Sequence, residues 1–254
     1  MDRLIFTAMS ALKQLDSMKL KNSNALANAS TVGFKETYTF ATQTAQVAGA
    51  GFDSRFVPMN RSNDELVINS GPLITTGNKL DIYLKGKTVL GVQTSDEKTA
   101  FTRRGDLTVD AAGFLTTVNG YTVLGEGGGP IAVPSGLELS IADDGTILAT
   151  DPSLPEAPPA VVGNLLLRES EGTRLVRRVD GLFEVMGSGG QGGDFESGPI
   201  PPSVQAGAIE GSSINVDEKL VNFMDMSRSF EMRIKIISEM KELDDSGATM
   251  MRYA

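Results

Sequence analysis

Residues 4–28 read Leu-Ile-Phe-Thr-Ala-Met-Ser-Ala-Leu-Lys-Gln-Leu-Asp-Ser-Met-Lys-Leu-Lys-Asn-Ser-Asn-Ala-Leu-Ala-Asn, with no Gly and no Pro. One stripe through this stretch runs Leu4, Ala8, Ala11, Leu15, Met18, Asn22, Ala25. Its steps alternate between four and three, which is heptad spacing. Ile5, Leu12 and Leu26 widen the stripe on the adjacent position. At 1.5 Å per residue the predicted helix is about 37 Å long.

The other end of the chain repeats the pattern. From Val216 onward a stripe runs Leu220, Phe223, Ser227, Phe230, Ile234, Ile237, again stepping by three and four. Asn215 is a good N-cap, and Glu218 stands three residues later in capping-box position. Lys235 and Lys241 lie towards the C-terminal end, where the helix dipole favours cations. Two long amphipathic helices are therefore expected at the two ends.

Between them the period changes to two. Leu80, Ile82 and Leu84 alternate with Asp81, Tyr83 and Lys85; Leu107 and Val109 with Thr108 and Asp110; Leu137, Leu139 and Ile141 with Glu138 and Ser140. Turn dipeptides punctuate the strands at Asn119-Gly120, Asp144-Gly145 and Asp180-Gly181. The Pro-rich stretch Asp151–Pro159 and the Gly-rich stretch Gly187–Gly193 read as loops. The fold class is α+β: terminal helices, 1–35 and 207–254, pairing in a coiled-coil-like domain. An irregular or extended connection over 36–79 and an antiparallel β-rich domain over 80–206 complete the expected layout.

Composition removes much of enzymology. Among 254 residues there is no Cys, no His and no Trp. No Ser-His-Asp triad, Cys-His pair, thiolate redox centre, disulfide or ordinary zinc site can be built from this chain. With 23 Lys+Arg against 32 Asp+Glu the formal charge is −9, and the electrostatic footprint of a nucleic-acid binder is missing. No apolar run approaches the ~20 residues that cross a bilayer. Met1-Asp2-Arg3-Leu4-Ile5-Phe6 carries both charges and no apolar core of a Sec signal, so no cleaved Sec peptide is expected.

Several groupings invite a chemical reading and also have a plainer one. Gly125-Glu126-Gly127-Gly128-Gly129-Pro130 looks like a phosphate cradle, but no Lys-Ser/Thr follows and Ile131-Ala132-Val133-Pro134 does not open a helix. It reads as a turn between strands. Asp143-Asp144, Glu169/Glu171, Asp194/Glu196 and Asp244-Asp245 are the carboxylates on which a His-free hydrolase would depend. Asp143-Asp144-Gly145 reads better as a hairpin bend, and a chain with four Tyr and no Trp offers few stacking platforms for sugars. No run has the Asp/Asn alternation and closing Glu of a calcium loop. Arg103-Arg104 and Arg174/Arg177/Arg178 read as salt-bridged or solvated groups. Met224, Met226, Met232, Met240, Met250 and Met251 suit a helix whose core is also an adaptable interface.

Each terminal helix carries a narrow seam containing Ala or Ser. Fully burying a Leu, Ile or Phe yields about 1.5–3 kcal/mol, against ~1–2 kcal/mol of backbone entropy for each residue ordered. The seams are thus expected to become ordered against neighbouring subunits, with self-association supplying the burial. The alternatives are a soluble β-rich binding module whose helices pack on its own core, and the carboxylate hydrolase.

Ser23-Asn24-Ala25-Leu26-Ala27-Asn28-Ala29-Ser30-Thr31-Val32-Gly33-Phe34-Lys35 resembles the S-N-N-L-A-N-x-x-T-x-G-F-K signature of the flagellar axial proteins, the rod and hook subunits of the bacterial flagellum. Gly207-Ala208-Ile209-Glu210-Gly211-Ser212-Ser213-Ile214, followed by Arg228-Ser229-Phe230-Glu231-Met232, is similar to their G-x-L-E-x-S-N-V and R-x-F-E segments. Leu80-Asp81-Ile82, Phe101-Thr102-Arg103-Arg104-Gly105, Gly113-Phe114-Leu115-Thr116, Val123-Leu124-Gly125 and Pro130–Pro134 follow the family's order through its β domain. Ala25, Ser213 and Lys87-Thr88-Val89-Leu90 depart from the pattern, which has Asn, Asn and a D-G-F-F run there. Within the family the opening Met1–Met9 and the ending Phe230–Lys235 are most similar to proximal rod subunits, with distal rod subunits next.

The resemblance implies a non-catalytic structural subunit with no cofactor and no metal. Terminal helices of many subunits would form the inner tube of the rod and transmit torque, with the β domain outside. The implied partners are proximal and distal rod subunits, copies of the same chain and, in transit, the flagellar type III export apparatus. Nucleic acid and membrane insertion are not implied, and the implied location is the periplasmic rod of the basal body. The expected assembly interface is Leu4, Ala8, Leu12, Leu15, Asn24, Leu26, Asn28, Gly33 and Phe34 at one end and Leu220, Phe223, Phe230, Ile234 and Ile237 at the other.

Overall fold

The computed structural model describes residues 2–39, 42–46, 56–60, 64–66, 68–153, 157–186 and 193–252. The chain divides into two compact units: Met1–Ala27, Thr39–Asn63 and Asn215–Ala254 form one, Asn28–Tyr38 and Asp64–Ile214 the other. The fold is α+β, as the change of period predicts.

In the helical unit, α1 spans Asp2–Ala27 and α2 spans Val216–Arg252. The two helices are in contact. A second component, the antiparallel hairpin of Thr42–Gln46 with Phe56–Asn60, also touches α1. This hairpin falls inside the stretch expected to be an irregular or extended connection. Its strands hold Thr, Gln, Val and Phe, residues at ease on a pleated surface, but they lack the strict alternation that announces a half-buried strand.

In the β unit, the strand Thr88–Gln93 is the hub. It pairs antiparallel with Thr99–Thr102, with Thr122–Val123 and with Leu167–Glu169. From it the main sheet runs one way through Thr99–Thr102, Phe183–Val185, Leu175–Arg177 and Asp64–Leu66, and the other way to Leu115–Thr117 and Leu107–Val109. A three-stranded sheet of Glu138–Ile141, Thr146–Thr150 and Ala160–Asn164 and two short ribbons complete the unit.

The hub strand is buried on both faces. Leu90 and Val92 join the larger core with Ile82, Leu84, Leu115 and Ile147. Val89 points into a second core with Leu66, Ile68, Phe101, Leu175 and Phe183. Phe195 meets Phe101 edge-on, with ring centroids 4.8 Å apart. Because both faces are covered, the strand reads as a continuous apolar run without alternation. Gly91 is required by packing: a Cβ there would collide with the Leu166 side chain.

The three predicted hairpin turns are present. Gly120, Gly145 and Gly181 all have positive φ, near +86°, between antiparallel partners. Each Gly donates its N–H back three residues, to Thr117, Ala142 and Arg178 respectively. The alternation also holds for Ile82/Leu84 and Leu139/Ile141, which are buried. It fails at Val109, which is exposed at the end of the outermost strand, although Leu107 on the same face is buried. Of the two predicted loops, residues 154–156 and 187–192 lie outside the described residues.

Candidate assembly interface

The register of α1 against α2 follows from three contacts. The Asn22 side-chain amide donates to the Lys219 carbonyl at 2.9 Å. One turn earlier on α1, the Lys19 ammonium stands 5.2 Å from the Phe223 ring centroid and 5.7 Å from that of Phe230. Moving back along α1 thus moves forward along α2, so the helices are antiparallel. At 26 and 37 residues, α2 outlasts α1 by about three turns.

α2 starts at the predicted cap. The Asn215 Oδ1 accepts the Glu218 N–H at 3.3 Å and the Asn215 carbonyl accepts the Lys219 N–H at 3.1 Å. Ser227, the polar member of the predicted stripe, donates its hydroxyl to the Phe223 carbonyl four residues back and so presents no unsatisfied group to the seam.

Ala8, Ala11, Leu12, Leu15 and Leu26 are half-buried, and Ala25 is buried. Met18, which the heptad reading puts in the stripe, is 42 % exposed. Lys19, half-buried, takes that place, its charge set against two aromatic faces. Sequence periodicity could not find it, since a Lys scores as polar whatever its stem does. Leu4 lies on α1, but its side chain is not among the described ones. On α2, Phe223, Phe230 and Ile237 are half-buried, whereas Leu220 and Ile234 are 44 % and 45 % exposed. Val221, Met224, Met232, Ile236, Leu243 and Met250 are exposed as well. Asn24 is exposed on α1.

The remaining predicted interface residues lie in the β unit. Asn28 Oδ1 accepts the Thr31 hydroxyl at 3.2 Å and its carbonyl accepts the Thr31 N–H at 3.1 Å, forming the turn that follows α1. Gly33 adopts φ of +66°, and a Cβ there would stand 2.5 Å from the Arg103 carbonyl oxygen. Its N–H donates to the Glu210 carbonyl at 2.8 Å. Phe34 is buried, with the Arg177 guanidinium 4.3 Å from its ring centroid. Burial lowers the pKa of Arg177. Gly33 and Phe34 thus hold segments of the β unit together.

Beside them lies a polar cluster that pattern reading did not reveal. Lys35 Nζ donates to Glu210 Oε1 at 2.7 Å, and Arg103 Nε to Glu210 Oε2 at 2.6 Å; all three side chains are fully buried. The rest of the Arg103 guanidinium donates to the carbonyls of Gly86, Thr88 and Leu84 at 2.7–2.8 Å. Lys35 also donates to the Asn69 carbonyl, and Glu210 accepts the Gly71 N–H. Burial pushes the Glu210 carboxyl up, but the hydrogen bond and charge of Arg103 and the charge of Lys35 outweigh it, so its pKa lies below the ordinary value. Lys35 is lowered by burial and by Arg103, which Glu210 only partly offsets. Two cations share one carboxylate, and backbone carbonyls supply the remaining acceptors. Nothing in a one-dimensional pattern marks residues 35, 103 and 210 as neighbours.

The other charged groupings have plain structural roles. Arg104 forms a two-pronged ion pair with Asp106 at 2.6 Å, and Arg168 pairs with Asp194 at 2.6 Å. Arg178 pairs with Asp180 and Glu184. Asp144 accepts the Thr146 N–H in its hairpin bend, which lowers its pKa. Gly125–Pro130 is a tight turn, with Gly125 N–H on the Gly129 carbonyl and Gly128 N–H on that of Gly125. Among the described residues no helix is long and apolar enough to cross a membrane.

Two family models match the chain: the Flagellar hook protein FlgE/F/G D1 domain over residues 83–149, and the Flagellar basal body rod FlgEFG protein C-terminal over residues 205–250. Flagellar basal-body rod protein FlgF of Escherichia coli strain K12 is 35% identical over 247 residues, covering 95% of each chain. The chain belongs to the flagellar basal-body rod protein family. FlgF of Salmonella typhimurium is likewise 35% identical over 95% of each chain, and FlgG of Bacillus subtilis is 27% identical over 95% of this chain and 96% of its own. This is a family of structural, non-enzymatic subunits. In the present rod protein, the second matched region carries Glu210, the Asn215 cap and most of α2.

Proposed function

We propose that this rod protein is a FlgF-like proximal rod subunit that assembles side by side with copies of itself and with other proximal and distal rod subunits. The terminal helices would pass torque along the rod. The FlgF relatives, more alike at 35% than the FlgG relative at 27%, support the proximal assignment. The observation that carries the assembly role is the apolar surface left on α2. Leu220, Val221, Met224, Met232, Ile234 and Ile236 remain exposed although α1 is already in contact with α2. A helix that keeps six large apolar side chains in water beside its partner helix is a surface that still has to be covered, and Met is well fitted to non-identical neighbours. Leu4, Ala8, Leu12, Leu15, Asn24, Leu26, Phe223, Phe230 and Ile237 complete the proposed interface on the two helices. Asn28, Gly33 and Phe34 would contribute indirectly, by shaping the segments that follow α1. Delivery through the flagellar type III export apparatus to the periplasmic rod is part of the same reading.

The test is assembly. Phe230→Asp or Leu15→Asp is expected to abolish incorporation into rods while the β unit keeps its near-ultraviolet circular dichroism. Normal rods built from either variant would refute the helix-mediated reading. Helicity of the purified chain is also expected to rise with protein concentration; helicity independent of concentration would favour a monomeric β-rich binding module.

A further inference from the structure

The stretch 203–213 touches more separate parts of the β unit than its length requires. Val204–Ala206 pairs with Ile82–Leu84, and Ala208–Glu210 with Leu73–Thr75. Val204 is fully buried in the larger core, and its N–H donates to the Asp143 carbonyl. Gly207 accepts from the N–H groups of Thr76 and Gly77 and donates to Asp81. Glu210 binds Lys35, Gly71 and Arg103, and Ser213 donates to the Phe34 carbonyl.

The segments it meets have few ladder partners, although Ile82 and Leu84 also sit in the larger core, the Ile82 N–H donates to the Gly105 carbonyl and Arg103 donates to the Leu84 carbonyl. Among the described residues, Ile82–Leu84 forms a ladder only with Val204–Ala206, and Leu73–Thr75 only with Ala208–Glu210. The main sheet, by contrast, is laddered through Thr88–Gln93 and its partners between residues 88 and 185 without any strand from 203–213. Without Glu210, Lys35 and Arg103 would face each other in the interior with no counter-charge, an arrangement that proteins avoid.

We infer that residues 203–213 are a closing clasp. The N-terminal segments of the β unit, 33–35, 71–77 and 81–85, become native only when this late stretch docks across them and Glu210 neutralises the pocket. Until then the main sheet can form, but the unit stays open along that side. A subunit delivered as an extended chain would thereby lock its shape only after residues 203–213 had arrived. The inference rests on the β unit alone, so it stands or falls independently of helix-mediated assembly.

Hydrogen exchange on the full chain tests it, by pulse labelling during refolding from urea and then under native conditions. Amides of 81–85 and 71–77 are expected to gain protection in the same phase as 203–211. Protection at 81–85 while 203–211 still exchanges freely would overturn the clasp. In the native state, Glu210→Gln is expected to speed exchange of both segments together, by about a hundredfold or more. Val204→Ala, a milder change that keeps the charges, is expected to move both by a common smaller factor. Faster exchange confined to 203–211 in Val204→Ala would make this stretch a peripheral strap and refute the inference.

Discussion

At Glu210 a single carboxylate satisfies two buried cations and a backbone amide, which makes the stability of the β unit depend on pH. The sign follows from its lowered pKa. An unfolded Glu titrates near 4.3, so stabilisation by Glu210 is fully present above that range. It is lost as pH falls through the lower folded value, where the native state must finally take up the proton. Glu210→Gln is expected to cost about 3–5 kcal/mol at pH 7, because it strands Lys35 and Arg103. The gap between the natural chain and this variant is expected to narrow below about pH 4. Urea midpoints measured at both pH values check this; a gap of constant size would show that the ionised carboxylate is not what holds the cluster. The opposite change with Lys35 is gentler, since Arg103 would still have its partner.

Among the elements, α2 depends on its first turn. Its start is set by Asn215, whose side-chain oxygen takes one of the N–H groups that no helical carbonyl can reach. Asn215→Ala is expected to cost about 1 kcal/mol and to raise exchange at Val216–Lys219 while the middle of α2 is unchanged. Equal exchange along the whole helix would mean that packing against α1, rather than the cap, holds the first turn. The hub strand Thr88–Gln93 shows a different dependence. Its burial on two faces comes from two cores that draw on residues remote from it in sequence, such as Ile147 in one and Leu175 in the other, so its strand character is a tertiary property.

On the scale of the whole molecule, the two units have different reasons to be stable. The β unit has two apolar cores and a neutralised polar cluster, whereas the helical unit keeps large apolar side chains in water. Limited trypsin digestion of the dilute chain is therefore expected to remove α1 and α2 early and leave a resistant product from near residue 64 to near residue 214. Residues 28–38 are expected to stay with it even after cleavage, held by Lys35, Gly33 and Phe34. Separation of that peptide under native conditions would show the cluster to be weaker than its burial suggests. Resistance across the whole chain would mean that the helices need no neighbours.

The terminal helices, the hairpin turns and the α+β class were legible from residue order because each rests on local causes. These are a heptad spacing, an absence of Gly and Pro, an Asn cap, and Gly at positive φ between strands. The helix seam was legible in outline, but Lys19 displaced Met18 from it, because the approach of its ammonium to two aromatic rings depends on where the second helix lies. Family membership was legible because motif residues keep their order along the chain. What only tertiary structure decided is the meeting of Lys35, Arg103 and Glu210, and with it the role of residues 203–213. Charges remote in sequence become partners only when the backbone brings them into one dry volume. There the absence of water turns their pairing from optional into obligatory.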